Sequence, residues 1–128
     1  MEFVALVTLL LIVEYIFFTA MVGKARVQGS VEAPAMTGDE TFERASRVQV
    51  NTLEQLIITI PAMWICATYF RVDVAAVMGL VFLIARLIYR SAYMTEPAKR
   101  GPATGIGFLA NAILVLTGAW GVVGQLLS

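Results

Sequence analysis

Four stretches of the chain are apolar for most of their length. They run from about Phe3 to Val22, Leu53 to Phe70, Val74 to Tyr93 and Gly105 to Leu127. Glu14 interrupts the first, and Arg86 and Arg90 lie near the end of the third. Each approaches the roughly 20 residues that a helix needs to cross a bilayer core. In lipid every backbone polar group must be satisfied internally, which leaves only helices or a closed barrel. Apolar runs this continuous lack the alternation of barrel strands. The pattern therefore predicts an all-α integral membrane four-helix bundle. It forms one domain over residues 1–128, with helices at about 2–26, 43–70, 73–96 and 103–127.

The connections differ in length and charge. Gly23 to Glu43 is polar, contains Gly29, Pro34 and Gly38, and shows no helical apolar period, so it reads as loop. Arg71-Val72-Asp73 is a tight link, and Thr95 to Thr104 (TEPAKRGPAT) is a second loop, broken by Pro97, Gly101 and Pro102. Lys24, Arg26, Arg44, Arg47, Arg86, Arg90, Lys99 and Arg100 lie on or near the first and third connections, against Arg71 alone at the second. The positive-inside rule places both long loops in the cytoplasm and both termini on the opposite side. The first apolar run has no basic n-region, is too long for a signal peptide's apolar core and is followed by no clean small-residue cleavage site, so it reads as a retained span.

Composition narrows the function. Hydrophobic residues make up 59% of the chain and charged residues 14%, against about a quarter charged in soluble domains. A formal net charge of zero gives no reason to expect nucleic acid. The lone Cys66 lies in an apolar run and reads as a buried, inert thiol. There is no histidine, which excludes a histidine-based metal site or triad. No metal is expected.

The densest polar patch is FERASRVQVNTLEQL, Phe42 to Leu56. At 100° per helical residue, Arg44, Arg47, Asn51 and Glu54 fall within an arc of about 80°, and Gln55 extends it by about 20°. On the third helix Arg86, Tyr89, Arg90 and Tyr93 lie within about 100°. Both stripes belong to the same end of the bundle and can line one cavity. Charged groups at that depth are costly unless they pair or meet water. Two readings follow. The stripes are structural, with Arg44 snorkelling beside Glu43 and ion pairs between Arg47 and Glu54 or between Glu54 and Arg86. Otherwise they form a ligand site, and the mixture of arginines, glutamate, asparagine and phenols suits a small zwitterion with more than one carboxylate. Elsewhere, Glu14 reads as structural, Asn111, Gly107, Gly118, Gly121 and Gly124 as helix-packing positions, Trp64 and Tyr69 as packing or interfacial anchors, and Pro61 as a kink.

The run ERASRVQVNTLE resembles the E-R-x-x-R-x-x-x-N-x-x-E pattern of the membrane-associated proteins in eicosanoid and glutathione metabolism, the MAPEG family. The length, the four spans, the APAMTG turn and the stretch GLVFLIARLIYRSAY add to the resemblance, and Ala85 to Tyr93 is most similar to the leukotriene synthase branch and its bacterial relatives. The resemblance implies a homotrimer in membrane lipid, with glutathione as cosubstrate between neighbouring subunits. It also implies a transferase or peroxidase that acts on lipophilic electrophiles; the alternative is a non-catalytic lipid- or glutathione-binding relative of the same fold. Arg47, Asn51 and Glu54 would hold glutathione from the second helix, and Tyr89 and Tyr93 from the third. Arg26 and Gln49 would reach it from the adjacent subunit, Arg44 and Arg86 would brace the site, and Arg100 would stabilise the thiolate. Two positions depart from that branch. Gln55 replaces a tyrosine at a glutathione contact. Val27 replaces a second arginine, which favours a general transferase over leukotriene synthesis.

Overall fold

The computed structural model describes Met1 to Ser128 and contains four long helices: α1 (Glu2–Gln28), α2 (Glu40–Tyr69), α3 (Val72–Thr95) and α4 (Gly101–Leu127). A short 3-10 turn, Pro97–Arg100, leads into α4. All four helices are long and apolar enough to cross a membrane. α2 packs on each of the other three, and α1 and α4 lie on opposite sides of the α2–α3 pair.

The first loop is shorter than its polarity suggests. α1 continues through Lys24, Arg26 and Gln28, all good helix formers. Ala25 is buried there with Val31, Phe42 and Ala45, so the polar extension packs on the start of α2. α2 begins at Glu40 because Asp39 caps it, its carboxylate accepting from the Phe42 N–H at 3.0 Å. A Cβ at Gly29 would lie 2.6 Å from Asp39 Cγ, so the end of α1 and the cap of α2 meet where only glycine fits. At the second loop, Pro97 opens the 3-10 turn and Pro102 sits in the first turn of α4, where a missing N–H costs nothing. α2 is continuous through Pro61.

The largest core cluster joins Val4, Val7 and Leu11 of α1 to Met63 and Cys66 of α2, Phe82 of α3 and Leu114 of α4. Small residues bring the backbones together. A Cβ at Gly79 would lie 2.5 Å from Met63 Sδ and 2.8 Å from Val7 Cγ1. A Cβ at Gly121 would collide with the backbone carbonyl of Tyr69. Polar bonds tie the interior further. The Thr59 hydroxyl donates to Asn111 Oδ1 at 2.7 Å, Asn111 Nδ2 donates to Gln55 Oε1 at 3.1 Å, and Trp64 Nε1 donates to Thr8 Oγ1 at 2.9 Å. Glu14 is buried at 6% exposure, and neither of its carboxylate oxygens has a hydrogen-bond partner.

Candidate functional site

At the end of the bundle that carries the two loops, α2, α3 and the 3-10 turn enclose a cavity of about 170 Å³. It is lined by Arg47, Val50, Asn51, Glu54, Tyr89, Tyr93 and Arg100. The helical period explains why these side chains meet. Arg47, Asn51 and Glu54 recur at four and three residues along α2, and Tyr89 and Tyr93 at four along α3. Arg100 arrives by another route. The 3-10 turn folds back over α3, Arg100 Nη1 donates to the Pro97 carbonyl at 2.8 Å, and the guanidinium stands 5.6 Å from the centre of the Tyr93 ring. The rings of Tyr89 and Tyr93 lie 5.7 Å apart.

Behind this wall Arg86 is buried at 3% exposure. Its Nη2 donates to Asn51 Oδ1 at 3.0 Å and to Thr52 Oγ1 at 2.8 Å, its Nε donates to Thr52 Oγ1 at 3.2 Å, and its guanidinium lies 3.9 Å over the Tyr89 ring. Arg86 therefore fixes a wall residue from α2 and one from α3 at once. Arg44 works at the rim. It pairs with Glu40 and donates to the Met94 carbonyl at 3.0 Å, which joins α2 to the end of α3. A wider depression of about 450 Å³ opens beside it, lined by acidic residues and sharing Arg47 and Tyr93 with the cavity.

Neither ion pair allowed by spacing forms. Glu54 bridges neither to Arg47 nor to Arg86, and the four salt bridges of the chain lie elsewhere. The cavity thus presents two cations, one anion and two phenols that are not neutralised by one another. Such a set can grip carboxylates and an ammonium of one small molecule.

Besides the bracing Arg44 and Arg86, three anticipated residues lie outside this cavity. Gln55 opens instead onto a small adjoining hollow of about 80 Å³ that shares Asn51, with its oxygen taken by Asn111. Gln49 is about 200° round the helix from Arg47, so it faces α1 and donates to Thr19 Oγ1 at 3.1 Å. Arg26 donates to the Ala35 carbonyl at 2.7 Å and lies 4.5 Å over the Phe42 ring. Two lining or supporting residues escape the sequence reading. Val50 is apolar and sits beside the stripe. Thr52 satisfies its own hydroxyl hydrogen on the Val48 carbonyl at 2.7 Å, leaving its oxygen free to receive Arg86. Threonine inside a membrane helix was the one available signal for it.

Comparison with known proteins is consistent over nearly the whole chain. A family model described as "MAPEG family" matches residues 4–120. The chain is 39% identical over 122 residues to an uncharacterized protein of Synechocystis sp., covering 95% of this chain and 89% of the other. It is 36% identical over 125 residues to microsomal glutathione S-transferase 2 of Homo sapiens, covering 96% and 84%. It is 33% identical over 123 residues to leukotriene C4 synthase of Bos taurus, covering 96% and 82%.

Proposed function

From the premise that this chain belongs to the MAPEG family and is an integral, multi-pass membrane protein, we propose that it is a glutathione-dependent transferase or peroxidase acting on lipophilic electrophiles. The observation that carries this reading is the set of unneutralised charges around one cavity: Arg47, Glu54 and Arg100 beside Asn51, Tyr89 and Tyr93. Arg47 would take a glutathione carboxylate, Glu54 the ammonium, and Asn51 a backbone amide of the tripeptide. Similarity to a microsomal glutathione S-transferase and to a leukotriene C4 synthase supports the choice of thiol.

In this mechanism Arg100 stands near the sulfur. A free thiol has a pKa of about 8.5, and an adjacent guanidinium lowers it, so more thiolate exists at neutral pH. The proton leaves to water at the open side of the cavity. The thiolate then attacks the electrophile; for an aryl halide a C–S bond forms, the carbon–halogen bond breaks and halide departs. Tyr89 and Tyr93 offer hydroxyls as further donors to the sulfur.

One chain's cavity is smaller than the roughly 300–1,000 Å³ of ordinary ligand pockets. That supports a site closed by a neighbouring copy in a homotrimer, with Arg26 and Gln49 reaching across from that copy. The basic loop end would face the cytoplasm. The test is turnover of a chromogenic aryl halide by purified protein with and without glutathione. Glutathione-dependent product sustains the reading. Tight glutathione binding with no turnover on aryl halides or hydroperoxides favours a binding protein of the same fold.

A further inference from the structure

A second polar feature lies beside the cavity, further round α3 toward α1. Apart from Arg47, the basic side chains that make neither an ion pair nor a hydrogen bond are Lys24 and Arg90. Arg90 is half-buried against α1, its guanidinium 5.3 Å from the centre of the Phe17 ring. Lys24 follows Phe17 by seven residues, which puts it on the same side of α1 within about 20° and roughly 10 Å further along. Both cations therefore crown one groove, between α1 and α3, at the loop end of the bundle.

The groove below them is apolar. Leu10 and Phe17 on α1 and Leu80 and Leu87 on α3 are each close to half exposed and repeat at seven residues, so they form two facing rows. Further from the cations the rows part into an apolar hollow of about 610 Å³, reached at Leu10 and Leu80. Arg90 and Leu80 are ten residues apart, or about 15 Å along the helix. That is half of the roughly 30 Å hydrocarbon core, the depth of one leaflet.

We propose that this groove binds an anionic glycerophospholipid, with its phosphodiester held by Arg90 and Lys24 and its acyl chains laid along the two rows as far as the mouth of the hollow at Leu10 and Leu80. Two unpaired cations above a leaflet-deep apolar slot match a net-negative headgroup on two acyl chains. Basic pockets between membrane helices select such headgroups. The site shares no residue with the cavity and does not depend on the reaction proposed for it.

The test uses the detergent-solubilised full chain in native mass spectrometry, titrated with phosphatidylglycerol or with phosphatidylcholine of the same acyl composition. Phosphatidylglycerol should bind preferentially. At about fivefold per basic residue lost, Arg90→Gln should weaken it about fivefold and the Lys24→Gln/Arg90→Gln pair roughly 25-fold, with phosphatidylcholine little changed. Arg90→Lys should retain most of the binding, which separates lost charge from lost fold. Glycerol phosphate, which lacks the chains, should not compete. Equal binding of the two lipids, or binding indifferent to both Gln substitutions, overturns the site. Competition by glycerol phosphate at equal concentration would show a free-phosphate site and overturn the lipid.

Discussion

Arg86 offers a prediction in which stability and binding move apart. Arg86→Met keeps roughly the length of the side chain and deletes its charge. Buried ionic and polar groups replaced by apolar groups of similar volume often leave a protein as stable or more so. Thr52 keeps its own bond to Val48, so the main group left unsatisfied is Asn51 Oδ1, which already reaches the cavity. The melting temperature should therefore hold or rise slightly. Glutathione binding should fall. Freeing Asn51 to rotate costs about 0.5–1.5 kcal/mol, and losing the cation stacked 3.9 Å over Tyr89 costs about 0.5–2 kcal/mol in fixing that ring. Together they predict about 1–3.5 kcal/mol, or roughly five- to 350-fold in Kd. Arg86→Lys keeps the charge but not the fork that makes three bonds, and should fall between. Calorimetry with glutathione, paired with a thermal melt in the same detergent, reads both quantities. Affinity within twofold of the parent in Arg86→Met would refute the idea that Arg86 positions the wall of the cavity.

Four further outcomes follow from the same structure. Arg47→Ala and Glu54→Ala should each weaken glutathione binding roughly tenfold or more, since each leaves a ligand charge unpaired in a partly dry site; unchanged calorimetric affinity in both would make the stripe structural. Arg100→Ala should leave glutathione affinity within a few-fold yet lower the ultraviolet thiolate absorbance at neutral pH by about ten- to hundredfold, a pKa rise of one to two units; an unaltered signal would move the role to another donor. Single cysteines introduced at Thr37 and Ser128 should label from opposite sides of intact cells, and labelling from one side would contradict the even number of spans. Gly121→Val should lower stability by about 1–3 kcal/mol, measured by denaturation in mixed micelles, because its side chain meets the backbone at Tyr69 rather than a movable side chain.

Periodicity and length made the four helices legible, because lipid permits few other structures. The ends were less so. Polarity alone marks Lys24 to Gln28 as loop, yet Ala25 packs into a small core with Phe42 that only the folded chain creates. The stripe of Arg47, Asn51 and Glu54 was readable from a 100° period, and so was its meeting with Tyr89 and Tyr93. Arg100 was not. Its place depends on the path of a proline-flanked turn, which no period encodes, and it entered through the family resemblance. The ion pairs that spacing allowed do not form, because spacing limits which side chains can meet and does not choose among competing partners. Thr52 took the guanidinium that spacing also offered to Glu54.

The contact between Gly121 and the Tyr69 carbonyl also makes α4 a lever. Backbone against backbone leaves no side chain to yield, so that end of the helix is a pivot. Arg100 sits 21 residues away, just before the opposite end, at a reach of roughly 30 Å. A tilt of about 3° there swings the guanidinium by roughly 1.5 Å, while the α2 and α3 walls of the cavity stay fixed by Arg86. Misplacement of about 1 Å can cost a reaction a hundredfold. If Arg100 serves the thiolate as proposed, pressure on α4 from whatever surrounds it in the bilayer would govern that chemistry at a distance, through leverage alone.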